Sequence, residues 1–121
     1  MAGEALVAED IEAGRRFVEL LDRSGTEVKG AFWLYQPDAE RWRLVIVTPQ
    51  AARGSKDLYL KAIREKADID LARVDFQPPS SSVFKALGGL IKVDGLGAMR
   101  MQRNAFNGVY IEDALVYRLA A

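Results

Sequence analysis

Between Ala8 and Arg23 the apolar residues Ile11, Phe17, Val18, Leu20 and Leu21 recur at helical spacing. Glu9, Asp10 and Glu12 open this segment and Arg23 closes it, in the sense that complements a helix dipole. Ser24-Gly25 supplies a stop, so the spacing predicts an amphipathic helix over 8–23. The pattern then changes period. Residues 27–36 and 42–48 are rich in β-branched and aromatic side chains, and Gln36 to Arg41, with Pro37-Asp38, reads as the turn between two strands. Setting Tyr35 opposite Trp42 puts Trp33 opposite Leu44. One face of the hairpin then gathers Trp33, Tyr35, Trp42, Leu44 and Ile46, and the other Phe32, Leu34, Val45 and Val47. Both faces are largely apolar, which predicts a central pair of strands covered on both sides.

Pro49 ends the second strand, and Ser55 is placed to cap a helix from Lys56 to about Ala67. Residues 69–76 read as a third strand closed by Pro78-Pro79, and Ser80-Ser81-Ser82 as the cap of a short helix from Val83 to about Val93. Asp94-Gly95-Leu96-Gly97 reads as a turn. Residues 98–104 and 109–119 follow as strands joined at Asn107-Gly108, with Glu112-Asp113 as a bulge or second turn. The order is therefore α-β-β-α-β-α-β-β. This predicts an α+β fold, one domain over residues 1–121, with a mixed, mainly antiparallel sheet of about five strands and helices packed on it. Residues 42–76 suit a strand–helix–strand crossover.

Composition narrows the chemistry more than the fold. Half of the 121 residues are apolar and 28% are charged, so a core can form without staples. There is no cysteine and no histidine. Ser-His-Asp and Cys-His mechanisms, zinc sites and haem or iron–sulfur ligation through those residues are thereby excluded within one chain. No cofactor is expected, and any intrinsic metal would be a hard cation on oxygen ligands. The first residues lack a basic start and unbroken apolar run, and no stretch has the ~20 apolar residues of a membrane helix. A cytoplasmic protein with no membrane partner is expected.

Seventeen basic residues balance seventeen acidic ones, but unevenly. Residues 1–40 hold nine acidic and four basic side chains, and residues 41–121 hold eight and thirteen. An acidic helix over a more basic sheet explains the split, and two functional faces or head-to-tail association would use it.

Three sets of residues remain as candidate sites. The loop before the second helix places Arg53, Ser55 and Lys56 where a phosphate or carboxylate could meet free backbone N–H groups, although only one glycine is present and the P-loop pattern is not met. Arg100 and Arg103, with Phe106 and Tyr110 as stacking surfaces, form a basic stretch, diluted because a regular strand sends the two arginines to opposite faces. Trp33, Tyr35 and Trp42 are core if helices cover them and a partner surface if not. Asp38 and Glu40 lack the lysine of metal-dependent nucleases on the following strand. Asp68, Asp70 and Asp75 do not converge on one strand face, and Asp57 with Lys61 suits a surface ion pair. The expectation is a non-catalytic interaction protein, a homo-oligomer or small subunit using Trp33, Tyr35 and Trp42. The alternative is a phosphate- or nucleic-acid-binding protein, extending to an oxygen-ligand metal enzyme, using Arg53, Ser55, Lys56, Arg100 and Arg103.

Overall fold

The computed structural model describes residues 5–90, 92–93, 95–106 and 108–120. Helix α1 (Ala8–Arg23) leads into strands β1 (Gly30–Gln36) and β2 (Arg41–Val47), helix α2 (Lys56–Arg64) and strand β3 (Val74–Gln77). Helix α3 (Ser82–Leu90) and strands β4 (Met99–Phe106) and β5 (Val109–Leu119) complete the order that the patterning predicts. The expected turn residues Asp94 and Asn107 lie outside the described residues. The strands form one mixed sheet in the order β3-β2-β1-β5-β4. β2 and β3 run parallel across the α2 crossover, and the other neighbours are antiparallel.

The hairpin register is the one that the aromatic spacing implies: Tyr35 faces Trp42, Trp33 faces Leu44 and Phe32 faces Val45. Both faces are covered. Phe17, Val18 and Leu21 of α1, with Leu58 and Ala62 of α2, pack over Trp33, Leu44, Ile46 and Phe76. Leu87 of α3 packs over Phe32, Val45, Val47, Ile111 and Val116 on the opposite face. The sheet is the middle of three layers.

The expected third strand begins late. Asp70 accepts a hydrogen bond from the Ala72 N–H (3.0 Å) and caps a 3-10 turn, Leu71–Arg73, so extended structure starts only at Val74. Ser55 occupies the N-cap position of α2 but its side chain makes no capping bond. Ser81 receives the Phe84 N–H at 3.4 Å before α3. At Glu112-Asp113 β5 continues as strand, and the backbone anomaly lies on β4, where Arg103 has φ +50°. A clear register shift comes later in β5: Arg118 pairs with Ala31 and Val116 with Phe32, leaving Tyr117 as an extra residue. This bulge lets consecutive side chains, Tyr117 and Arg118, both reach α1. Tyr117 accepts from the Trp33 indole and donates to the Ile11 carbonyl, while Arg118 forms a two-pronged pair with Asp22 at 2.9 Å. No helix among the described residues is long and apolar enough to cross a membrane.

Candidate functional site

A concavity of about 740 Å³ lies between the first half of α1 and residues 67–73. Its position follows from how α2 ends. Ala67 N–H returns to the Ala62 carbonyl and Lys66 N–H to the Ile63 carbonyl, with Lys66 in the left-handed region at φ +56°. This closure turns the chain sharply toward α1. The 3-10 turn capped by Asp70 then aims Arg73 back at the sheet. The Arg73 guanidinium lies 4.8 Å from the centroid of the Trp33 ring and pairs with Asp10 at 3.0 Å. Nearer solvent, Arg16 pairs with Asp68 at 3.2 Å. These two bridges tie α1 to the 67–73 segment across separations of 63 and 52 residues.

Trp33, fully buried, lies at the base of the cleft, with Ala8, Ala13, Ala67 and Ile69 adding apolar surface. Five carboxylates (Glu9, Asp10, Glu12, Asp68 and Asp70) line it against two guanidiniums, Arg16 and Arg73, a net charge of −3. The base is held rigidly. The Trp33 indole N–H donates to the Tyr117 hydroxyl at 2.9 Å, and a Cβ on Gly14 would come within 2.5 Å of that hydroxyl and 2.7 Å of the indole nitrogen. Only glycine at position 14 lets α1 sit this close. Burial pushes the Tyr117 hydroxyl up to about 12, reinforced by the nearby Glu12 and Asp10 charges and opposed by the Trp33 hydrogen bond and the Arg15 charge.

The aromatic trio divides. Trp33 (0% exposed) and Trp42 (3%) are covered within the chain, and Tyr35 is half-buried against Trp42, ring centroids 5.4 Å apart. Trp33 and Trp42 are therefore core, not an exposed sheet face, and Trp33 reaches only the bottom of the cleft. Arg100 lies over the Trp42 ring at 5.4 Å and grips Asp113 through two bonds of 2.6 and 2.7 Å. The hydrogen bond to Asp113 raises the Arg100 pKa, while burial lowers it and the Asp113 charge raises it further. For Asp113 burial pushes upward, but the bonds from Arg100 and Gln102 prevail and hold the carboxyl below its usual range.

The proposed anion ligands do not gather. Arg103 is exposed on β4, Arg53 is exposed before α2 and Lys56 is exposed at its first position. A small hollow of about 200 Å³ beside Arg53 is shared with Asp57 and Lys61 and is lined by neither Ser55 nor Lys56. Lys61 turns to Thr26 Oγ1 (3.2 Å) and the Ser24 carbonyl (3.3 Å) at the end of α1 instead of pairing with Asp57. No group of three or more carboxylates suited to a metal ion occurs among the described residues. Asp75 is engaged by Gln77 at 2.8 Å, away from the cleft. Sequence reasoning missed Asp10, Arg16, Arg73 and Gly14, because the cleft exists only once α1 docks on a segment more than fifty residues distant. The glycine in the middle of the amphipathic α1 pattern was the one available signal of close approach. No family model, no curated protein and no solved structure matches the chain.

Proposed function

We propose that this chain is a non-catalytic interaction protein that receives its ligand in the cleft between α1 and residues 67–73. The observation that carries this reading is the cleft itself. Its volume, about 740 Å³, falls in the range of ligand sites, and its walls combine apolar surface with a few oriented charges. A partner seated on Trp33 and Trp42 would have to displace the elements that bury them, so the interface belongs at the cleft and not on the sheet face. The alternative based on Arg53, Ser55, Lys56, Arg100 and Arg103 has less support, since Arg100 is committed to Asp113.

The test compares the natural chain with Ala13→Phe, which places a ring in the cleft from a half-buried position on α1. Circular dichroism establishes that both are folded. Calorimetric titration then runs through cationic, neutral and anionic peptides, nucleotides, oligonucleotides, Mg²⁺ and Mn²⁺ at low salt. At least one class should bind the natural chain and lose its binding to Ala13→Phe. Ligands that bind both chains equally would overturn the cleft reading, and loss on changing Arg53 or Lys56 instead would favour the phosphate-binding alternative.

A further inference from the structure

Building on the cleft as the binding site, we infer that its occupant is a basic peptide segment of a partner protein. Charge points first in that direction. Among the described residues, Asp10 and Asp68 are the lining carboxylates held in close bridges. Glu12 is held loosely, 3.6–4.0 Å from Arg15 and Arg16. Glu9 has no ion-pair partner among the described residues, and Asp70 uses one oxygen to cap the 3-10 turn. These exposed groups leave the cleft negative.

Surface chemistry points the same way. The lining alternates acidic residues with Ala8, Ala13, Ala67 and Ile69 over the buried Trp33 ring. Such a surface complements a segment carrying both cationic heads and apolar stems, which arginine and lysine provide in one side chain. The protein holds its own example: Arg73 stacks on the Trp33 indole while its head pairs with Asp10. An indole and a carboxylate together already accommodate a guanidinium here. A metal ion is the poorer fit, because the described carboxylates do not group as ligands. The volume exceeds what one small amine fills, which favours a stretch of chain.

The chain has two tryptophans, so Trp42→Phe leaves Trp33 as the sole indole reporter. A short peptide alternating arginine and leucine is titrated into it while Trp33 emission is read, and calorimetry on the natural chain covers any loss of stability in the reporter variant. The emission change should saturate and should weaken as salt rises. Glu9→Gln combined with Asp70→Asn should reduce affinity about tenfold or more, since each charged contact is a sizeable part of such binding. Asp57→Asn, on α2 away from the cleft, should leave it unchanged. The inference is overturned if the basic peptide does not bind, if the double variant binds it equally, or if spermidine or an acidic peptide of the same pattern binds as tightly. A neutral or anionic ligand that Ala13→Phe excludes would remove the basic peptide while keeping the cleft as the site. If no ligand of any class depends on the cleft, both readings fall.

Discussion

Gly14 shows how much one missing methyl group decides. A glycine inside a helix costs about 1 kcal/mol relative to alanine. Here it lets α1 rest on the Trp33–Tyr117 hydrogen bond, where an added Cβ would approach the hydroxyl to 2.5 Å. Overpacking of this kind costs about 1–3 kcal/mol. Two contacts of 2.5 and 2.7 Å put position 14 in the upper part of that range, about 2–3 kcal/mol, so Gly14→Ala should be destabilising by about 1–2 kcal/mol once the gain of about 1 kcal/mol in helix propensity is subtracted. Urea titration measures this, and a variant as stable as the parent would show that α1 does not need the close approach. Tyr117 makes a second prediction at the same contact. Its folded pKa is raised from 10.0 to about 12, so folding favours the neutral phenol. The sign follows directly. Its contribution is complete below about pH 10, where neither state ionises, and is lost as pH climbs toward 12 and the unfolded chain gives up its proton first. The loss approaches about 3 kcal/mol over that window. Tyr117→Phe lacks this dependence, so the stability gap between parent and variant should narrow from pH 10 to 12. A gap that stays constant would mean that the hydroxyl ionises alike in both states.

At the scale of elements, the C-terminal ends of α1 and α2 offer a comparison within one molecule. Helices α1 and α2 end in the same pattern, with paired backbone bonds closing over a residue of positive φ. In α1 that residue is Gly25 at φ +86°, and in α2 it is Lys66 at φ +56°. An L side chain in the left-handed region costs roughly 1 kcal/mol, and glycine does not. Lys66→Gly should therefore raise stability by up to about 1 kcal/mol, and Gly25→Lys should lower it by about the same amount. Both side chains point into open solvent or have room to do so: Lys66 is exposed, and a Cβ at Gly25 meets nothing within 4 Å. Paired denaturation curves check the contrast, and shifts of the same sign in the two variants would refute it. The strain at Lys66 sits where the chain turns toward the cleft, so the substitution also reports whether that turn is set by backbone closure or by the Arg16–Asp68 and Arg73–Asp10 bridges.

For the molecule as a whole, what could be read from the sequence was whatever is periodic and local. The helix over 8–23, the succession of helices and strands along the chain and the facing of Tyr35 with Trp42 all follow from spacing that repeats within a few residues, whereas the order of strands in the sheet does not. The start of β3 was misplaced because a single side chain, Asp70, diverts the backbone into a 3-10 turn before the strand. The cleft was illegible because Asp10 and Arg73 meet only after the crossover folds. The same contrast of local and distant contacts separates the two layers flanking the sheet. On one side α1 buries Phe17, Val18 and Leu21, is closed by Gly25, and is tied to the sheet and loop by the Asp22–Arg118 and Asp10–Arg73 pairs. On the other, α3 has nine residues, of which Ala86 and Leu87 are buried while Gly88 and Gly89 are exposed. Few buried contacts and two glycines place α3 at the low end of local stability. In hydrogen exchange its amides should open locally, well ahead of those in α1, β1 and β2. The decisive comparison is Leu21→Ala, which removes a fully buried side chain from the α1 layer and should lower global stability by about 2–5 kcal/mol. Protection in α1, β1 and β2 should fall with that loss, whereas α3, already exchanging through its own opening, should hardly change. If α3 amides instead slow to the rate of β1 in the parent, or lose protection in step with it in the variant, the helix belongs to the same cooperative unit as the sheet.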